Sequence, residues 1–206
     1  MDSPFVPLGR PRPERADATR NREHLLATAR AMVAELGVEK VTMDGLAERA
    51  GLGKGTVFRR FGTRAGIFHA LLDEDEHAFQ AQVMSGPPPL GPGADPVTRL
   101  IAYGRARSAY LSGHQSLVRA SLDRNQPVPA GAPATLTRMH LRMLLGLARP
   151  GLADLDSLAL QLTAALEGPV MLYVSAAPQP APGTEPGSAQ RLGDSWQALI
   201  ERLCGH

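Results

Sequence analysis

An all-α fold of about nine helices follows from three features of this 206-residue sequence. Apolar residues recur at helical spacing between proline- and glycine-rich breaks. No run of β-branched residues alternates as a strand would. Hydrophobic residues make up 43% and aromatic ones only 4%, so the core must be largely aliphatic. With 20% charged residues, the composition is that of a packed chain, and the length fits one ordinary domain or two small ones.

Residues 1–17, with four prolines and Arg10, Arg12 and Arg15, read as a mobile basic arm that can reach phosphates or a minor groove, or do nothing. The first helix spans roughly 18–36: Leu25, Leu26, Ala29, Met32, Val33 and Leu36 form one stripe, and Gly37 sits where a C-cap is wanted. Thr42 can N-cap a short helix over 43–50. Gly51 ends it, and a second short helix runs over 54–61. Thr63 caps a long helix over 64–84, with Ile67, Phe68, Leu71, Leu72, Phe79 and Val83 inward. Proline-rich breaks at 85–96, 125–133 and 176–187 cannot be helix interiors. Between them lie predicted helices at 96–112, 114–124, 133–148, 153–174 and 188–204.

The segment Thr42–Phe61, TMDGLAERAGLGKGTVFRRF, has the pattern of a helix-turn-helix. Two short helices crossing steeply need a small residue at the crossing, and Ala47 supplies it. They favour glycine in the turn four residues on, where Gly51 stands. Leu46, Ala50, Leu52, Val57 and Phe61 fit the inward positions. The outer face of the second helix then carries Lys54, Gly55, Thr56, Arg59 and Arg60, a basic and small-headed surface suited to a major groove. The plainer reading of 42–61 is a helical hairpin without a DNA role. Charge favours the first: residues 1–70 hold 12 Lys+Arg against 8 Asp+Glu, and residues 71–206 hold 10 against 12.

The stretch AELGVEKVTMDGLAERAGLGKGTVFRRFGTRAGIF, residues 34–68, resembles the tetracycline-repressor-like (TetR) transcriptional regulators. It has their threonine-capped helix, their Gly-x-x-Lys-Gly-Thr turn, an aromatic-rich end to the recognition helix, and a basic residue opening helix four. The resemblance covers about residues 20–84. It implies a DNA-binding domain over 18–64 and an effector-binding and dimerisation domain over 65–206. It also implies DNA contacts from Thr42, Lys54, Thr56, Arg60 and Arg64. Three departures matter. Gly53 replaces the family's usual serine cap. Phe58 replaces a tyrosine whose hydroxyl meets a phosphate, and so reads as a packing residue. Arg59 and Arg60 stand where tyrosine or histidine is usual, and charge-assisted contacts from them can replace the lost one.

Other chemistries find little support. Cys204 is the single cysteine, which allows no intrachain disulfide and fits a reducing compartment. The N-terminus lacks the apolar run of a signal peptide. The most apolar stretch, 158–174, is interrupted by Gln161, Glu167, Gly168 and Pro169, so a soluble cytoplasmic protein without a membrane role is expected. Glu74 and His77 have Glu-x-x-His spacing, but a di-iron site needs a second copy. Asp73–Glu76 reads more simply as a solvated acidic run. No phosphate-binding loop or nucleophile motif occurs, so no cofactor, metal or enzymatic activity is expected.

In the second half, Tyr103, Arg107, Tyr110 and His114 recur on one helix face, and Met139, His140 and Met143 lie on another helix. Methionines adapt to irregular ligands, and tyrosine or histidine can orient them. Tyr103, Arg107, Tyr110, Met139, His140 and Met143 are the candidate effector contacts, for an apolar or aromatic small molecule. An ordinary core with a wet face is the alternative. The stripes Leu155, Leu158, Leu162, Leu166, Val170 and Leu192, Trp196, Leu199, Ile200, Leu203 can serve a homodimer, as the resemblance implies, or the internal core. The expected whole is a homodimeric repressor on a near-palindromic double-stranded DNA operator. The rivals are an activator, a regulator answering to a protein, and a helical-bundle enzyme or metal carrier.

Overall fold

The computed structural model describes residues 13–122, 132–148, 151, 153–175 and 187–205. Residues 1–12 of the expected arm, and most of the breaks at 125–133 and 176–187, lie outside the described residues. From Pro13 onward the chain is already helical, so the arm is shorter than expected.

Eight α-helices and one 3-10 turn make up the described residues, and no strand occurs among them. They are α1 (Pro13–Leu36), the turn Val38–Lys40, α2 (Met43–Ala50), α3 (Lys54–Phe61), α4 (Arg64–Ser85), α5 (Pro96–Ser121), α6 (Ala132–Ala148), α7 (Leu155–Ser175) and α8 (Ser188–Cys204). The chain divides at Leu71–Leu72, within α4, into two compact units.

In the first unit, Leu25, Leu26, Ala29 and Met32 of α1 are buried, as are Leu46, Ala47 and Ala50 of α2, Val57 of α3, and Ile67, Phe68 and Leu71 of α4. Leu36, at the end of the α1 stripe, is exposed. The Thr42 hydroxyl accepts from the Gly45 amide at 3.0 Å and caps α2 as expected. Gly51 closes α2 with φ 65° and ψ 28°, a left-handed conformation that glycine adopts without a Cβ penalty. The Leu52 amide returns to the Ala47 carbonyl at 3.0 Å, which sets the tight turn into α3. Thr63 accepts from the Gly66 amide at 3.1 Å at the start of α4.

In the second unit, the core gathers Phe79 and Val83 of α4, Leu100 and Tyr103 of α5, Leu141, Leu144 and Leu145 of α6, Ala159, Leu162 and Leu166 of α7, and Trp196 and Ile200 of α8. The stripes on α7 and α8 therefore serve mainly this core. Two helices were expected over 96–124, broken near Gly113; α5 instead runs unbroken for 26 residues. One glycine costs a helix only about 1 kcal/mol, and α5 buries residues along its whole length, from Leu100 to Ser121. Its start is fixed by Asp95, whose carboxylate accepts from the Val97 and Thr98 amides, with Pro96 in the first turn. Gly104 marks the crossing of α5 and α8. Trp196 lies against it, and the indole N–H donates to the Leu100 carbonyl at 2.9 Å.

Helix α7 corrects one expectation. Its 21 residues, with a mean hydropathy of 1.3 in the most apolar stretch, are long and apolar enough to cross a membrane by length and composition. Gln161, Glu167, Gly168 and Pro169 punctuate the apolar stretch, and the helix runs through them, as expected over 153–174. In this fold one side of α7 is core, and Glu167 on it engages a buried arginine.

Candidate nucleic-acid interface and a buried polar cluster

Helix α3 is held by its Val57 side, with Phe61 half-buried next to it. Successive residues are turned by about 100°, so the other positions fan out across the outward face. Lys54 and Phe58 share one edge, Gly55 and Arg59 the middle, and Thr56 and Arg60 the edge toward α1. Lys54, Gly55, Arg59 and Arg60 are exposed and Thr56 is half-exposed. Gly53 occupies the N-cap position with no side-chain cap, so the first amides of α3 have no side-chain partner there.

Several of these groups are pre-positioned. The Lys54 ammonium pairs with Asp44 of α2 at 2.8 Å; both are well exposed, so the pair orients more than it stabilises. Arg59 donates to the Gly55 carbonyl at 3.3 Å. Arg60 donates to the Ala18 carbonyl at 2.7 Å and leans toward α1. There an open groove of about 510 Å³ is lined by Asp17, Asn21, Leu25, Thr56, Arg59 and Arg60. Arg64 is placed differently from its neighbours. Its guanidinium donates to the Val41 and Val38 carbonyls and lies 4.9 Å over the Phe68 ring. It fastens the turn before α2 to the start of α4. Thr42 is exposed, but its hydroxyl is engaged as the α2 cap.

Phe58 is not a packing residue: it is 65% exposed. The interior of this unit is filled from Val57 and Phe61, and Phe58 lies about 100° around the helix from Val57. That angle was readable from the sequence. Asp44 as partner of Lys54 carried no such signal.

The second unit brings Tyr103, Arg107, Tyr110 and His140 together but engages them with one another. Arg107, 1% exposed, donates to Glu76 at 2.6 Å and to Glu167 at 2.9 and 3.2 Å. Burial works against the Arg107 charge, yet Glu167 and Glu76 outweigh it and hold its pKa above the ordinary value. The guanidinium also lies over Phe79 and Tyr110, at 5.6 and 5.1 Å. The Tyr103 hydroxyl donates to Thr137 at 2.9 Å. Burial raises the pKa of both Tyr103 and Tyr110. His114 lies 3.0 Å from Asp75 and stacks on Tyr110. The Asp73–Glu76 run is thus not wholly solvated: Asp75 and Glu76 turn inward because Arg107 and His114 meet them.

His140 packs at a tilt against Tyr103, ring centroids 4.7 Å apart, and its Nε2 is buried without a hydrogen-bond partner. Burial, assisted by Arg99, pushes its pKa down to about 4, so the ring is neutral. Met139 and Met143 do not join the cluster. They are 60% and 46% exposed, because Thr137, Leu141, Leu144 and Leu145 hold the inner side of α6. The long-range partners of Arg107 and Tyr103 had no signal in the sequence.

Residues 25–71 match the family described as bacterial regulatory proteins, tetR family. A helix-turn-helix-type transcriptional regulator of Staphylococcus aureus (strain bovine RF122 / ET3-1) is 31% identical over 68 residues, which are 33% of this chain and 37% of that relative. The match therefore spans little more than a third of the relative's length. Among solved structures, a TetR-family transcriptional regulator from Pectobacterium atrosepticum superposes with a TM-score of 0.64 at 22% identity, over 92% of this chain and 94% of the other. Another, from Rhodococcus sp., gives 0.62 at 16% identity, over 90% and 99%. These structures share the fold along nearly the whole chain, while the sequence match lies in the unit that holds the helix-turn-helix. Residues 25–71 thus carry the sequence of the tetR family of bacterial regulatory proteins, and the described residues share the fold of solved TetR-family regulators.

Proposed function

We propose that the protein is a homodimeric, DNA-binding transcriptional repressor, released from a near-palindromic operator by a small apolar or aromatic molecule. The observation that carries the DNA reading is the outward face of α3. It presents Gly55, Thr56, Arg59 and Arg60 on a short helix braced by two others, with no acidic residue in α3 itself. Lys54, Thr56, Arg59 and Arg60 meet the DNA, Gly55 allows close approach, and Thr42 and Arg64 position the unit from behind.

The homodimer is supported by the outward side of α7 and α8. Leu160, Met171 and Leu172 of α7 are 55%, 43% and 72% exposed, and Leu199 of α8 is 44% exposed. A second copy covering these side chains would remove their apolar surface from water. The effector reading rests on the cluster around Tyr103, Arg107, Tyr110 and His140. A molecule displacing part of that packing changes the balance between DNA-competent and incompetent states only by its differential affinity for them.

The test is selection of an operator from randomised double-stranded DNA, followed by affinity measurements over a salt series. Thr56→Ala should lower specific affinity by roughly 1–3 kcal/mol with little change in non-specific binding. Arg60→Ala should weaken all sequences and flatten the salt dependence by about one phosphate. Failure to enrich any sequence removes the DNA reading, and unchanged affinity in both variants removes the outward face of α3 as its interface.

A further inference from the structure

The geometry points to Phe58 as a reader of thymine: its ring meets the C5-methyl group of one thymine in each half-site. This rests on the proposed DNA-binding function and adds a specificity determinant to it.

Phe58 is 65% exposed, on the outward side of α3, in the first unit, where the only other large apolar side chain so exposed among the described residues is Leu36, at 43%. Leu36 ends α1, away from the outward face of α3. An aromatic ring left in water on a helix with only one fully buried residue is a cost unless something covers it. Its surroundings restrict what that can be. Lys54 precedes it by one turn on the same edge, and Gly55 stands beside it at i−3. A Cβ placed on Gly55 would meet no heavy atom within 4 Å, so nothing at that position holds a partner surface away. Arg59, next in the chain, is exposed as well.

A phenylalanine ring has no hydrogen-bond donor or acceptor. It cannot bond a phosphate, and it cannot select guanine, adenine or cytosine through their polar edges. The thymine methyl is the one apolar group that a natural base pair presents in the major groove. The ring and the methyl are therefore matched by chemistry, and the neighbouring cations hold the helix against the backbone while the contact forms.

The experiment uses the full chain and the operator selected for it. Each thymine of one half-site is replaced singly by deoxyuridine, which removes the methyl and keeps the pairing edge. At one position wild-type affinity should fall about 4-fold, the equivalent of one buried methyl group. At that position Phe58→Ala should bind thymine and deoxyuridine operators equally, while Phe58→Leu retains part of the difference. Placing 5-methylcytosine instead of cytosine at the same position should recover part of the loss in the wild type. Phe58 is exposed, so these variants keep the fold, which thermal unfolding verifies. The proposal is overturned if deoxyuridine is neutral at every position in the wild type, or if its cost persists undiminished in Phe58→Ala. Failure to enrich any sequence overturns the DNA-binding function and this reading together; enrichment of a methyl-indifferent operator overturns this one alone.

Discussion

Replacing Gly104 by alanine tests how the second unit is held together. A Cβ at this position would lie 2.0 Å from Trp196 Nε1 and 2.1 Å from Cε2, distances no structure tolerates. The indole cannot simply swing away: Trp196 is 4% exposed and donates its N–H to the Leu100 carbonyl. Either α8 shifts along α5 or the ring changes rotamer and gives up its hydrogen bond. Overpacking of this kind costs about 1–3 kcal/mol, and loss of a buried hydrogen bond adds about 1 kcal/mol. A net cost of about 2–4 kcal/mol corresponds to a Tm lower by about 4–16 °C in a chain of this size. Trp196 is the single tryptophan of the protein, so its fluorescence reports the site without interference. Denaturant unfolding followed by that emission should show an earlier midpoint and a red-shifted native spectrum in Gly104→Ala. Gly113→Ala, on the same helix, is the control: a Cβ there meets nothing within 4 Å, and removing a mid-helix glycine should raise stability by about 0.5–1 kcal/mol. Equal midpoints for Gly104→Ala and wild type, with an unchanged spectrum, would refute this account of the α5–α8 crossing.

Three further outcomes are expected. His140 titrates near 4 in the folded protein against an ordinary value of 6.5, so between those values the unfolded chain binds a proton that the folded one does not; stability should be full above pH 6.5 and fall as pH drops toward 4, by about 1–2 kcal/mol after allowance for the partial exposure of the ring. Thermal unfolding of wild type and His140→Leu at pH 7 and pH 5 checks this, and the variant should lose less on acidification. Arg107→Ala should destabilise by about 3–5 kcal/mol, because two half-buried carboxylates are left without their cation, and Arg107→Met with Glu76→Gln and Glu167→Gln should recover most of the loss in chemical denaturation. Leu172→Glu, on the exposed side of α7, should yield a folded monomer by sedimentation, whereas a charge at the buried Leu162 should unfold the chain.

The helix-turn-helix was legible because its determinants are local. The Thr42 cap, the Ala47 crossing and the left-handed Gly51 all act within a few residues of each other, and the bounds of α2 and α3 follow from them. What was not legible depends on packing. Gly113 looks like a break until the burial along α5 is known. Met139 and Met143 look like pocket residues until Leu141, Leu144 and Leu145 are seen to hold the inner side of α6. Glu76 looks solvated until Arg107, 31 residues later, arrives beside it. Spacing places residues on faces; it does not say which face a neighbouring helix will cover.

Whether the outward face of α3 enters a major groove is decided by methylation interference on the selected operator. Guanine N7 methylation obstructs the major groove and adenine N3 methylation the minor groove. Two patches of N7 interference are expected, their centres about one helical turn or a multiple of it apart, that weaken together in the Thr56→Ala Arg59→Ala double variant. Interference confined to adenine N3, or an N7 pattern that the double variant leaves unchanged, would contradict that placement of α3.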